Sequence, residues 1–298
     1  MKMPAIFNVV GRLLLQEDLN FLLTNRIPRR LATRFMGWFS RIRQPLVRDL
    51  SLSAWRSFAD LDLAEAKKSR FDSLHDCFIR ELKDGARPVD VDPMVMSSPC
   101  DAIVGQCGRV EGTRVFQAKG FPYALIDLLG DPALVELYRD GCYATLRITS
   151  SMYHRFHAPQ DCEVEHVTYF SGDTWNVNPV ALKRVENLFC RNERAAIRTR
   201  LVSGGHASSH CITLVPVAAI LVAGIKLHFV DVLLDGDYTG PREFPCNARY
   251  AKGEEMGWFQ HGSTIIVFAP KGFTLAEGIE DGRRVRAGQK LMRLPAPA

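Results

Sequence analysis

The stretch Gly262-Ser263-Thr264-Ile265-Ile266-Val267-Phe268 sets a small, hydroxyl-bearing start directly before an unbroken apolar run. Such a run after a turn signal predicts a buried strand. Similar short β-rich runs, Tyr143–Thr149, Glu163–Tyr169, Cys211–Val215 and Lys290–Leu294, are separated by Gly, Pro, Asn and Asp. The body from Val95 onward therefore reads as β-rich. The longest apolar run, Cys211 to Ile225, contains Pro216 and is shorter than the ~20 residues a membrane helix needs, so it too reads as buried strand. The tail, Glu277 to Gln289, carries glycines placed to open tight turns between short strands, in the manner of biotinyl and lipoyl carrier hairpins. The carriers' modifiable lysine is missing there, so the likeness concerns architecture only.

Upstream the texture changes. Residues 1–50 hold Lys2 and eight arginines against Glu17, Asp18 and Asp49, a net charge of +6 in a chain whose total is +5. The basic character belongs to this arm, and nothing in the body suggests a nucleic-acid partner. Pro28 divides the arm into two helical pieces, and in the second Leu31, Phe35, Trp38, Phe39 and Ile42 form one stripe flanked by Arg30, Arg34 and Arg41. That pattern suits a helix lying in a membrane interface as well as one packed on its own domain. A third helix is expected over roughly Leu61–Leu82, ended by Gly85-Ala86-Arg87-Pro88. The fold class is thus α+β: N-terminal amphipathic helices, then a β-rich domain of barrel or sandwich character. The expected division is 1–60, a membrane-associating region, and 61–298, the catalytic domain.

At 298 residues with 47% hydrophobic and 24% charged residues, the composition is that of a globular protein and excludes a low-complexity one. Eight scattered cysteines without a C-x-x-C pair read as reduced thiols, and the early apolar stretch, broken by Arg12, Glu17 and Asp18, does not read as a secretory signal.

Several residues offer chemistry. His154 and His157 lie three apart in Tyr153-His154-Arg155-Phe156-His157. Asp101 follows Ser97-Ser98-Pro99-Cys100, where a turn could hold a carboxylate beside a strand. Ser263 could be a nucleophile, yet it does not sit in the G-x-S-x-G elbow of an α/β-hydrolase. His206 and His210 stand four apart and could share a helix face, but the zinc-peptidase glutamate and a third ligand are missing, so no metal is expected. Residues alone leave three readings open: a turn before a strand, a serine hydrolase, or a lipid-binding module.

Seven blocks in order over roughly residues 78–268 resemble the phosphatidylserine decarboxylases. They are Phe78-Ile79-Arg80-Glu81-Leu82 with Gly85-Ala86-Arg87-Pro88; Ser98-Pro99-Cys100-Asp101; Ala118-Lys119-Gly120 with Leu128-Leu129-Gly130; and Tyr153 to Pro159. Asn187-Leu188-Phe189 with Arg191-Asn192-Glu193-Arg194, Lys252 to Gly257, and Gly262-Ser263-Thr264 complete the series. Three departures stand beside them: Ala102 replaces a usual glycine, Met152 replaces an aspartate, and His261 precedes the Gly-Ser-Thr.

The resemblance implies a proenzyme that cuts itself between Gly262 and Ser263, with Asp101, His157 and Ser263 as the internal protease. It implies a β chain, 1–262, and an α chain, 263–298, joined as a heterodimer, with any higher oligomer left open. Ser263 would become a covalent pyruvoyl group, the pyruvate cofactor, which takes phosphatidylserine as a Schiff base, releases carbon dioxide and leaves phosphatidylethanolamine. His157, assisted by His154, would supply the proton. The substrate lies in a bilayer, so the resemblance places the protein peripherally on the cytoplasmic side of the cell membrane, held by its N-terminal region.

Overall fold

The computed structural model describes residues 17–118, 121–203, 206–221, 224–260 and 263–296. Three helices open the described chain: α1 Glu17–Asn25, α2 Arg29–Phe39 and α3 Pro45–Phe58. The break before α2 falls at Pro28, whose missing N–H and fixed φ suit a helix start. α3 begins with Pro45 at its first position, and the Gln44 side chain accepts from the Val47 amide.

The helix expected over Leu61–Leu82 is a correction. Only α4, Leu74–Phe78, is helical there. The segment folds back on itself instead, Ala66 bridging Leu82, with the Lys67 amide donating to Glu81 O and the Lys83 amide to Glu65 O. Asp62 and Ser73 favour this outcome by accepting from the Ala64 and Asp76 amides, local bonds that compete with a continuous helix.

The strands are β1 Val95–Ser97, β2 Ala102–Arg109, β3 Arg114–Ala118, β4 Phe121–Ala124, β5 Cys142–Ile148, β6 Arg155–His157 and β7 Cys162–Phe170. They continue with β8 Arg194–Ser203, β9 His206–Ala218, β10 Ile225–Leu227, β11 Leu233–Leu234, β12 Glu243–Tyr250 and β13 Glu255–Phe259. β14 Ser263–Ala269, β15 Thr274–Leu275, β16 Arg284–Val285 and β17 Lys290–Arg293 end the chain. Four short helices lie between them: α5 Leu125–Leu129, α6 Pro132–Leu137, α7 Pro179–Leu182 and α8 Leu188–Arg191.

Eight strands form one antiparallel sheet in the order β12-β7-β8-β9-β14-β5-β2-β16. β14 is interior, which explains its unbroken apolar sequence: Ile265 and Val267 pack into one core, Ile266 and Phe268 into another on the opposite face. The first core is closed by β6, β10 and β13 through Phe156, Ile225, Met256 and Phe259, and the second by α5–α8. At the edge, β12 alternates exposed and half-buried residues and tolerates Pro245. The sheet has two free edges, so no closed barrel occurs among the described residues. The architecture is α+β, N-terminal helices followed by a large antiparallel sheet.

The Cys211–Ile225 run, expected as one buried strand, is instead the end of β9 and the start of β10, with Leu221 and Gly224 at positive φ between them and residues 222 and 223 outside the described residues. In the tail Gly278, Gly282 and Gly288 do adopt positive φ (77°, 86°, 86°), as the turns predicted there require. All eight cysteines are free thiols.

Candidate active site

Antiparallel register gathers the sequence's candidates at one end of the large sheet. Ser263, the first residue of β14, pairs with Ile148, the last of β5, and with Ala218, the last of β9. On the far side of β5, Ile103 pairs with Arg147, which brings the start of β2 and the preceding Asp101 to the same end. One strand separates β14 from β2, so their backbones lie ~10 Å apart. Gly262 and His261 lie outside the described residues, as do Lys119 and Gly120 of the quoted blocks.

Asp101 is buried and rigidly held. Arg87 grips it with two parallel bonds, Nε to Oδ1 at 2.7 Å and Nη2 to Oδ2 at 2.6 Å, and the Ala287 amide donates to Oδ1 at 2.9 Å. Arg87 also donates to Glu65 at 2.8 Å. Burial opposes the charge of Arg87, but the hydrogen bonds and charge of Asp101, then of Glu65, outweigh it and raise its pKa. Asp101 is thus fixed by a fork that cannot deprotonate.

His157 ends β6, its amide donating to Pro99 O at 2.8 Å, two residues before Asp101. Its Nδ1 lies 3.0 Å from Gly253 O and its Nε2 3.1 Å from the Tyr153 hydroxyl. A carbonyl only accepts, so Nδ1 carries the proton and Nε2 is the lone-pair nitrogen. Burial pushes the His157 pKa below the ordinary histidine range, against the charge of Glu255 and the Gly253 carbonyl. The ring is therefore neutral near pH 7. Neither ring nitrogen bonds Asp101, whose partners are Arg87 and Ala287.

His154 is fully buried, with the Phe78 ring 3.9 Å from its own. Phe78 stacks in turn on Trp55 of α3 at 5.6 Å. Trp55 and Phe78, with Met36 of α2, Leu74, Ile148 and Ile220, line a cavity of about 510 Å³. Arg147, Thr149 and Ser150 also reach it, so the cavity adjoins the end of the sheet where Ser263 begins β14. Its walls come from the N-terminal helices as well as the β-rich body.

The helices are tied to that body. Arg29 pairs with Asp173 (2.5 Å) and lies 3.7 Å over the Trp175 ring, Arg34 pairs with Asp237, and the Leu221 amide donates to Thr33 at 3.1 Å. These contacts turn Leu31, Phe35 and Trp38 outward, at 68%, 58% and 63% exposure, beside Leu46 and Leu50 of α3. An apolar patch of this kind on a protein surface marks a contact face. No described helix is long and apolar enough to cross a membrane.

His206 and His210 do not share a helix. Both lie on β9, where positions four apart are separated by ~13 Å along the strand rather than by one helical turn. Sequence reasoning assigned no role to Arg87, Tyr153 or Arg147. An arginine between Gly-Ala and Pro was the only local sign of the first, whose carboxylate partners Asp101 and Glu65 come from other segments; Tyr153 meets His157 four residues on, but only the fold shows that contact.

The sequence profile of the family described as "Phosphatidylserine decarboxylase" matches residues 74–293. The chain is 32% identical over 287 residues to the phosphatidylserine decarboxylase proenzyme of Erwinia tasmaniensis, covering 90% of this chain and 92% of that protein. It is 32% identical over 292 residues to the proenzyme of Sodalis glossinidius, covering 92% and 95%. To that of Saccharophagus degradans it is 30% identical over 297 residues, covering 95% and 100%.

Proposed function

Because the chain belongs to the phosphatidylserine decarboxylase family and is a pyruvoyl-dependent carboxy-lyase, we propose that Asp101, His157 and Ser263 process it, cutting between Gly262 and Ser263. The activity is conversion of phosphatidylserine to phosphatidylethanolamine and carbon dioxide. The observation that carries the site assignment is the register: Ser263 opens β14 at the end of the sheet where Asp101, Arg147 and the cavity lie.

A serine hydroxyl needs a base, and neutral His157 offers Nε2 once the Tyr153 hydroxyl yields it. Asp101, held by Arg87, adds a fixed negative charge that favours the protonated ring the step creates. Gly262 has no Cβ to obstruct attack on its carbonyl. The family's pyruvoyl group, here derived from Ser263, supplies an electron sink for the bond that releases carbon dioxide. The surroundings fit such a group: position 263 is the exact strand start, so a cut there preserves the pairing of β14 with β5 and β9. The α chain 263–298 would stay in place through β14 in the sheet interior, β16 against β2, and β17 against β1, giving a β/α heterodimer. Return of a proton to the substrate carbon falls to His157, with His154 assisting.

Membrane association is peripheral. We assign it to region 1–60, through the exposed face of Leu31, Phe35 and Trp38, on the cytoplasmic side, and assign 61–298 to catalysis. The cavity walls from Met36 and Trp55 support this, because they join the interfacial helices to the reaction site.

The test is intact mass under denaturing conditions. The reading expects two chains meeting at 262/263, the α chain blocked by a pyruvoyl group, and one uncut chain for Ser263→Ala. A wild-type chain that stays near 33.5 kDa with a free serine at 263 would favour a serine hydrolase and sink the assignment.

A further inference from the structure

Arg147 stands apart from the other arginines near the reaction site. Arg87 and Arg155 each have carboxylate and carbonyl partners, whereas the Arg147 side chain forms no ion pair or hydrogen bond with any described residue. It is nevertheless partly buried, and burial pulls its pKa below the ordinary range, with only the more distant charge of Asp281 opposing. A desolvated cation without an anion is costly, so the site is built for an anion the chain does not supply.

Its position says which one. Arg147 lines the cavity, whose walls are otherwise largely apolar, and pairs across β5 and β14 with Thr264, the residue after Ser263. Residues directly opposite on an antiparallel pair share a face, and the Thr264 hydroxyl is fully buried with no hydrogen-bond partner. A guanidinium and an unused hydroxyl therefore stand side by side next to position 263.

We propose that Arg147 binds the phosphodiester of the serine phospholipid headgroup and so sets the preference for phospholipid over free serine. This rests on residue 263 being where the substrate amine is held. From that amine the phosphorus is four bonds away, on the order of 4–5 Å, which a side chain rooted one residue along and one strand across can span. The planar fork matches a phosphodiester's two free oxygens. The substrate's other anion, its carboxylate, is a poorer ligand for Arg147, because a cation there would stabilise the charge that must be lost with carbon dioxide. With the phosphate at Arg147, the acyl chains leave along Trp55, Met36 and Leu74 toward the exposed face of α2.

Two measurements test the assignment separately from self-cleavage. Calorimetric binding of glycerophosphoserine to the uncut Ser263→Ala chain reads Arg147 whether or not the wild type cuts itself. Adding Arg147→Gln should weaken that binding at least tenfold, Arg147→Lys should recover part of it, and inorganic phosphate should bind the Arg147 chain more weakly than glycerophosphoserine. In the cleaved enzyme, Arg147→Gln should raise KM for dihexanoyl phosphatidylserine at least tenfold with kcat within about threefold. Unchanged binding, or inorganic phosphate binding as tightly as glycerophosphoserine, overturns the headgroup assignment. So does a fall in kcat with KM unchanged, or loss of self-cleavage in both variants while the wild type is cut, since Arg147 would then act in maturation. A wild type that stays uncut while Arg147→Gln weakens glycerophosphoserine binding would refute the self-processing reading and leave Arg147 as a phosphodiester site.

Discussion

Replacing Arg87 by methionine should strand the Asp101 carboxylate. The two Arg87 bonds, at 2.7 and 2.6 Å, join side chains only 12% and 11% exposed, and what remains to Asp101 is the Ala287 amide at 2.9 Å. Breaking a buried pair from one side costs about 3–5 kcal/mol, and residual exposure puts this case near the lower end, ~3 kcal/mol. The assay is urea unfolding at pH 7 in the Ser263→Ala chain, so that cleavage does not enter. Asp101→Asn removes the charge that Arg87 answers, so the double variant should lie well above the sum of the single losses, with a coupling of at least ~1.5 kcal/mol. In the chain that retains Ser263, Arg87→Met should also slow self-cleavage at least ~tenfold, because Asp101 loses the fork that orients it. A stability loss below ~1 kcal/mol, or an equal loss with Asp101 and with Asn at 101, would refute the claim that Arg87 holds this carboxylate.

Gly257→Ala should destabilise by about 2 kcal/mol or more, since a Cβ there would sit 2.2 Å from Lys226 O on the neighbouring strand; urea unfolding reads it. Burial, followed by the charge of Asp235, pushes Glu193 up to about 8 from 4.5. Its proton is therefore bound more tightly in the folded chain, so its contribution is full below pH 4.5 and is lost as pH rises through about 8. Thermal melts should show stability falling by at most roughly 1.4 kcal/mol per pH unit across that window, and Glu193→Gln should flatten the slope. Replacing Phe35 and Trp38 by serine removes two mostly exposed rings worth ~2 kcal/mol each at an interface, so flotation with anionic liposomes should weaken at least ~hundredfold. Unaltered flotation would remove the outer face of α2 from membrane binding.

The sequence by itself determined what depends on neighbours along the chain. Thr264–Phe268 announces an interior strand because an unbroken apolar run has no solvent face to serve, and Pro28 announces a helix boundary because it lacks an N–H. The same local reading put a helix over Leu61–Leu82, where the pattern allowed one and pairing between Ala66 and Leu82 prevailed. Its blocks also disclosed the family, since order along the chain is itself a sequence property. Only the tertiary structure decided which groups serve the site. Arg87 reaches Asp101 across fourteen positions, His157 takes its proton acceptor from Gly253 ninety-six positions away, and the Arg147 side chain faces the cavity with no carboxylate among the described residues folded onto it. Strand periodicity fixes which face a side chain takes; which partner waits on that face depends on sheet order and register, and those are set by contacts between segments far apart in the chain.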